Sequence, residues 1–116
     1  MSELENYIQY LDSDDEFSYF LRMEYIWDDQ KYLEMLQHVK DVVVSFGSKD
    51  VLPKKVIYFF TGTIDMIVGI VSKDVFFATT PEGYQEQSYR ELVEQRKNEL
   101  IELKKKFFGG DYYLFD

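Results

Sequence analysis

The sequence predicts a single α+β domain, in which an antiparallel sheet of about four to five strands packs against two longer helices. The chain has 116 residues, which is the length of one domain. Two stretches repeat apolar side chains at helical spacing, and the segment between them is rich in Val, Ile, Phe and Thr, as strands are. No repeat or long linker divides the chain, so we expect residues 1–116 to fold as one globular unit.

A short N-terminal helix is predicted over residues 3–12. Ser2 and Glu5 have the spacing of a capping box, in which each side chain binds the backbone N–H of the other residue. Four apolar side chains share one helical face: Leu4, Tyr7, Ile8 and Leu11. The helix is therefore expected to pack through that face.

The following aromatic segment, residues 17–27, allows two interpretations. Apolar or aromatic side chains occupy every odd position from Phe17 to Trp27, and this alternation is typical of a strand with one buried face. The competing interpretation is a helix that begins at a capping box of Ser13 and Glu16. The high strand propensity of these residues favours the strand.

The first of the two longer helices is predicted over about residues 29–46. Asp28 and Asp29 suit the positive end of a helix dipole, and Gly47 is placed to end the helix. One apolar stripe runs along it: Tyr32, Met35, Leu36, Val39, Val43 and Phe46. This stripe predicts the face that packs on the sheet.

Three strands are predicted after this helix, and short turns between them indicate an antiparallel meander. Their bounds are Val56–Thr61, Ile64–Val71 and Val75–Thr79. The apolar run 56–72 is short for a membrane span and contains Asp65, whose charge would be costly in a bilayer. We therefore expect buried strands and no membrane association.

The second longer helix is predicted over about residues 85–107. Its three consecutive lysines, 104–106, suit the negative end of the helix dipole, and two glycines follow at 109–110. The apolar tail Tyr112–Phe115 is expected to add a strand. Pairing through this tail, or through an exposed sheet edge, would allow a homodimer.

The acidic charge of the chain is concentrated near its N-terminus. The whole chain holds 13 Lys and Arg against 22 Asp and Glu, a formal charge of -9. The first thirty residues contain nine of these acids and one base, Arg22, which leaves a net charge of −8 there. Nucleic acids and anionic membranes repel such a surface, so neither is expected as a direct partner.

The same thirty residues contain seven aromatic side chains. Tyr and Trp are enriched at binding hot spots, and carboxylates beside them steer a basic partner towards the surface. The predicted partner-binding residues are Asp12, Asp14, Asp15, Glu16, Tyr19, Glu24, Tyr25, Trp27, Asp28 and Asp29. The alternative is that the aromatic side chains form core and that the acids cap helices.

No pattern in the sequence predicts catalysis, a cofactor or a metal ion. The chain lacks cysteine, and its single histidine, His38, has no neighbouring nucleophile. The acidic run that starts at Asp12 departs from a calcium loop, because Phe17 and Met23 stand where Gly and Glu are required. The N-terminus also lacks the basic and apolar regions of a signal peptide, so a cytoplasmic location is expected.

These features predict a small acidic protein, not an enzyme, that binds and neutralises a basic protein partner. The most specific version is a bacterial immunity protein or antitoxin that inhibits a nuclease toxin, since nucleases that grip phosphate backbones are basic. One alternative is a nucleic-acid mimic that blocks a DNA-binding enzyme. The second alternative is a small ligand-binding domain with an enclosed pocket.

A charge-removal variant tests the first hypothesis. Replacing Asp14, Asp15, Asp28 and Asp29 together by Asn should weaken partner binding and flatten its salt dependence, because electrostatic steering would be lost. The fold is expected to stay intact. Association rates at several salt concentrations measure the effect. Binding that changes neither with salt concentration nor with the four substitutions would contradict the hypothesis.

Overall fold

The chain is helical and forms no sheet in the part that the structure describes. The computed structural model describes residues 2–115, which contain helices and turns but no β-strand. The predicted α+β class, with its four to five strands, is therefore wrong. The α-helices are α1 (Glu3–Leu11), α2 (Phe17–Glu24), α3 (Asp29–Phe46), α4 (Lys54–Tyr58), α5 (Ile64–Val71) and α6 (Glu86–Phe108).

Three predicted helices are confirmed. The Ser2 hydroxyl accepts a hydrogen bond from the Glu5 N–H at 3.1 Å, so α1 begins where the capping box placed it. The helix α3 has the predicted bounds, and the Asp28 carboxylate accepts a hydrogen bond from the Lys31 N–H. The helix α6 begins and ends one residue later than predicted. Capping residues and apolar stripes together located α1 and α3, whereas α6, whose N-cap residue Gln85 makes no side-chain capping hydrogen bond, was located by its apolar spacing and its basic last turn.

The aromatic segment after α1 is the helix α2, so the favoured strand interpretation is wrong. Phe17 and Leu21 are fully buried one turn apart, whereas Tyr19 and Met23 point to solvent. The Glu16 carboxylate caps the helix by accepting hydrogen bonds from backbone N–H groups of the first turn. The buried residues of this segment therefore recur with the helical period of 3.6. The alternation of apolar residues in the sequence did not indicate which side chains are buried.

The three central strands are also absent. The first two predicted strands belong to α4 and α5, which the π-helical turn Phe59–Thr63 joins into one continuous helix. The third lies mainly in the 3-10 turn Asp74–Phe77. Buried side chains recur every three or four residues: Val56, Phe60, Ile64, Ile67 and Val71. The β-branched residues of this segment therefore indicated correctly that it is buried. Tertiary packing overrode their propensity to form strands.

The C-terminal tail is irregular rather than a strand. Leu114 is buried against the core, while Tyr112 and Tyr113 remain exposed. The Tyr112 hydroxyl donates a hydrogen bond of 2.6 Å to the Asp50 carboxylate, which attaches the tail near the end of α3. Because residues 2–115 contain no strand, the strand-paired route to a homodimer has no basis in them.

Three buried aromatic rings meet in the core beside the link between α2 and α3. The Phe17 ring lies 4.8 Å from the Trp27 ring and 5.7 Å from the Tyr32 ring, centroid to centroid. The rings of Trp27 and Tyr32 are 5.1 Å apart. Around this cluster, α1 and α2 pack on α3, and α5 packs on both α2 and α6. The cluster joins α2 to α3 through the link between them.

A hydrogen-bonded network ties this link to α6. The Trp27 N–H donates to the Tyr89 hydroxyl at 2.9 Å, and the Trp27 indole N–H donates to the Asp29 carboxylate at 3.1 Å. Arg96 donates two hydrogen bonds of 2.9 Å to the same carboxylate, and it also contacts Glu99. This bidentate ion pair joins residues 67 positions apart.

The ion pair makes the stability of the fold dependent on pH. Burial alone would raise the pKa of the Asp29 carboxyl, but the hydrogen bonds from Arg96 and Trp27 and the Arg96 charge lower that pKa below its ordinary value. Because the folded-state pKa is the lower one, ionised Asp29 stabilises the fold above its unfolded pKa of about 4. This contribution is lost as the pH falls through the folded-state pKa.

We predict that Asp29→Asn lowers the free energy of unfolding by about 2 kcal/mol at neutral pH, since Arg96 loses a charged hydrogen-bond partner. The difference from the wild type should shrink as the pH falls from about 5 to about 2. Urea denaturation measures both effects. The matched control is Asp74→Asn, which breaks the solvent-exposed ion pair with Arg90 and should cost under about 0.5 kcal/mol. Equal losses in the two variants would contradict the assigned role.

Candidate functional site

The outer side of α2 and the loops at its two ends form an exposed surface, which we call the α2 surface. It combines carboxylates with large apolar side chains, and all of its members are exposed: Asp12, Asp14, Asp15, Tyr19, Met23, Glu24 and Tyr25. Six of these seven are among the ten residues that the sequence predicted for partner binding. The helix thus brings this part of the predicted site together.

The apolar part of the α2 surface lies on the outer face of the helix. Tyr19 and Met23 are one turn apart, and 43 % and 65 % of their surfaces are exposed. Tyr25 follows the helix in a left-handed conformation, with φ of 55°, which is unfavourable for a residue with a side chain. Its ring packs edge-on against Phe76 with the centroids 5.1 Å apart, and this contact holds the ring in place.

The acidic part of the α2 surface is mostly unpaired. Asp12, Asp14 and Glu24 are exposed and form no ion pair with another residue of the range 2–115. Asp15 is the exception, since its carboxylate lies 3.1 Å from the Lys31 ammonium group. The unpaired carboxylates flank the apolar side chains at both ends of α2. They are placed to attract a positively charged molecule before contact.

The other four predicted binding residues stabilise the fold. Glu16 is 8 % exposed and caps α2, and Trp27 is 1 % exposed within the aromatic cluster. Asp28 caps α3, and Asp29 pairs with Arg96. Replacing Asp28 and Asp29 would therefore remove a helix cap and a partly buried ion pair. The fourfold charge-removal variant tests folding as well as binding, and the expected intact fold is not supported.

Met23 is a member of the surface that the sequence reasoning missed. The alternation in the aromatic segment assigned Met23 and Tyr19 to the same strand face as the buried Phe17. In a helix the buried and the exposed side chains lie on different faces. Phe17 and Leu21 share the buried face, and Tyr19 and Met23 share the opposite one. The feature of the sequence that could have indicated a helix here is Glu16, which is the N-cap residue of α2.

A cavity of about 580 Å³ lies beside the α2 surface, between α1, α2 and the α4–α5 helix. Aromatic and apolar side chains form much of its lining, among them Tyr7, Phe59 and Met66. Three cationic side chains also line it: Arg22, Lys54 and Lys55. Its residues come from four separate parts of the chain, so the sequence carried no local signal for it.

Residues 2–115 contain neither a membrane-spanning helix nor a cluster of metal-binding side chains. In this range no helix is both long and apolar enough to cross a membrane. The same residues bring together no group of three His, Asp or Glu side chains that could hold a metal ion.

Comparison with known proteins does not assign this chain to a family. No family model, no curated protein and no solved structure matches it. The features of the chain that bear on function are the geometry and the charges of the α2 surface and of the adjacent cavity.

We predict that Tyr19 and Met23 contribute little to stability. The double variant Tyr19→Ala/Met23→Ala should change the free energy of unfolding by less than about 1 kcal/mol, because both side chains are exposed. By comparison, Trp27→Ala should lower it by about 3–5 kcal/mol, since that ring is buried. Urea denaturation compares the variants. A large loss in the double variant would show that these side chains pack against the fold.

Proposed function

We propose that the protein binds a basic protein partner through the α2 surface and neutralises that partner. The observation that supports this function is the exposure of Tyr19 and Met23 beside carboxylates that have no ion pair. Exposed apolar side chains rimmed by charge are typical of protein-binding surfaces. The negative rim favours a partner with a positive surface.

The two parts of the surface have different roles in this proposal. Tyr19 and Met23 supply the contact that becomes buried, and burial of such side chains governs how slowly a complex dissociates. Asp14 and Glu24 supply long-range attraction, which governs how fast the complex forms. Tyr25 is already held by Phe76, so little conformational entropy is lost when it is covered.

The version of this function that fits the charges best is a bacterial immunity protein or antitoxin, acting in the cytoplasm against a nuclease toxin. A nuclease presents basic groups to the phosphate backbone, and an inhibitor that covers them needs an acidic surface. Inhibition by occlusion requires no catalysis and no cofactor from this chain. The concentration of the negative charge in the first thirty residues supports the assignment.

The arrangement of the surface favours a protein partner over mimicry of nucleic acid. A mimic needs negative charges at phosphate-like spacing along an extended surface. Here Tyr19 and Met23 lie between the carboxylates that precede α2 and Glu24, the last residue of α2. A competition assay with DNA distinguishes the two classes, since DNA should displace a mimic from its target enzyme.

We predict that Asp14→Asn/Glu24→Gln slows association with the partner about tenfold at low salt and changes the dissociation rate little. The partner to use is the protein encoded by the reading frame directly upstream. The matched control is Glu102→Gln/Asp111→Asn, which removes two exposed carboxylates near the C-terminal end of α6. It should leave the association rate within about twofold of the wild type. Stopped-flow kinetics at low and high salt measure the rates.

The contribution of the apolar side chains of the α2 surface is measured in the same assay by the dissociation rate of the complex. Tyr19→Ala/Met23→Ala should raise the dissociation rate at least about tenfold and leave the salt dependence unchanged. Equal effects of the two charge variants would contradict the assigned surface. An upstream product that is neither basic nor bound by this chain would contradict the proposed toxin partner.

A further inference from the structure

The cavity beside α2 has the size and the lining of a small-molecule site. Its volume of about 580 Å³ lies within the range of about 300–1,000 Å³ that is common for ligand pockets. Tyr7 comes from α1, Phe59 from the π-helical turn and Met66 from α5, and all three line it. Such aromatic and apolar walls favour a ligand with an apolar body.

The π-helical turn shapes one wall of this cavity. The Ile64 N–H donates to the Phe59 carbonyl oxygen five residues earlier, and the wider turn places Phe59 and Thr63 along the wall. A Cβ atom on Gly62 would lie 2.9 Å from the Tyr58 ring, so the absence of a side chain lets that ring lie against the turn. Turns of this kind are frequent at functional sites.

The charges around the cavity favour an anion. Arg22, Lys54 and Lys55 line it, and none of them forms an ion pair with another residue of the described chain. Two carboxylates also line it. Glu16 is engaged in capping α2, and Asp12 lies at the exposed end of α1. In a chain with a formal charge of -9, three unpaired cations at one cavity are a local reversal of sign.

The Tyr7 hydroxyl is an unused hydrogen-bond donor at the same place. The Tyr7 side chain is 2 % exposed and lines the cavity, and its hydroxyl makes no hydrogen bond to another described residue. The neighbouring Tyr10 hydroxyl, in contrast, accepts a hydrogen bond from the Phe17 N–H at 2.9 Å. Burial, and then the charge of Glu16, raise the pKa of Tyr7, so its hydroxyl keeps its proton at neutral pH.

From these observations we propose that the cavity between α1, α2 and the π-helical turn binds a small organic anion with an apolar body and one anionic group. The apolar body lies against Phe59 and Met66, and the anionic group lies near Lys54 and Lys55. Tyr7 donates a hydrogen bond to the ligand. A polyanion such as a nucleoside triphosphate fits less well, because Asp12 and Glu16 would repel its additional charges.

Two fluorescent probes that differ in one charge test this proposal. Anilinonaphthalene sulfonate carries an anionic group on an apolar body, and phenylnaphthylamine is its uncharged parent. The folded wild-type chain should bind one molecule of either probe, and the sulfonate should bind more tightly. Fluorescence titration gives the affinity and the stoichiometry of each probe.

Paired lysine variants isolate the role of the charge. Lys54→Gln/Lys55→Gln should weaken binding of the sulfonate about tenfold, which is the combined effect of two solvent-exposed charge interactions. It should leave binding of the uncharged probe unchanged. The matched control is Lys40→Gln/Lys73→Gln, since both lysines are exposed, lie outside the cavity and form no ion pair among residues 2–115. This control should leave both affinities unchanged.

Two further variants test the cavity itself. Met66→Trp should fill it and abolish binding of both probes, with circular dichroism as the control for folding. Tyr7→Phe should weaken the sulfonate severalfold and the uncharged probe less, because only a hydrogen-bond donor is removed. An equal loss of affinity for the sulfonate in the two lysine variants would overturn the proposal. A stoichiometry of several probe molecules per chain would overturn it as well. None of these measurements involves the protein partner, so they stand independently of the α2 surface.

Discussion

The ion pair between Asp29 and Arg96 is the contact on which the arrangement of the helices depends. A carboxylate as little exposed as Asp29 would be destabilising without a partner, and Arg96 supplies a bidentate one from α6. The Arg96 guanidinium also lies over the Tyr32 ring, 5.4 Å from its centroid, so the pair is continuous with the aromatic cluster. Charge pairing and ring packing thus hold the α2–α3 link, with Trp27 at its centre, against α6.

This anchored link explains why α2 can present apolar side chains to solvent without loss of order. On one side, Phe17 and Leu21 are buried, and Trp27 is fixed by its hydrogen bonds to Tyr89 and Asp29. The opposite side then has a fixed orientation, although it makes few contacts of its own. A surface that is already ordered loses less entropy on binding than a flexible one. The proposed partner surface therefore depends on residues that no partner would touch.

In two of the helices that the sequence predicted correctly, α1 and α3, a capping residue and an apolar stripe agree. Ser2 and Asp28 marked the starts of α1 and α3, and the stripes gave their faces. The helices α2, α4 and α5 were missed because their aromatic and β-branched residues have high strand propensity, which tertiary packing overrode. In the site, Asp14 could be selected by its charge, but Asp29 could not be told apart from it. A capping or ion-paired carboxylate and a free one have the same sequence signature until the fold places a partner beside one of them.

The short helix α2 also keeps the two proposed sites distinct. Its eight residues divide into a buried face with Phe17 and Leu21, an outer face with Tyr19 and Met23, and a flank with Arg22 that lines the cavity. The outer face is bordered by carboxylates, whereas the flank meets the two lysines of α4, so the sign of the charge changes across the width of one helix. Asp12 is the one residue that belongs to both the α2 surface and the cavity lining. In the two proposals a basic protein is attracted to the outer face and a small anion to the flank, and substitutions that spare Asp12 change one set of residues without the other.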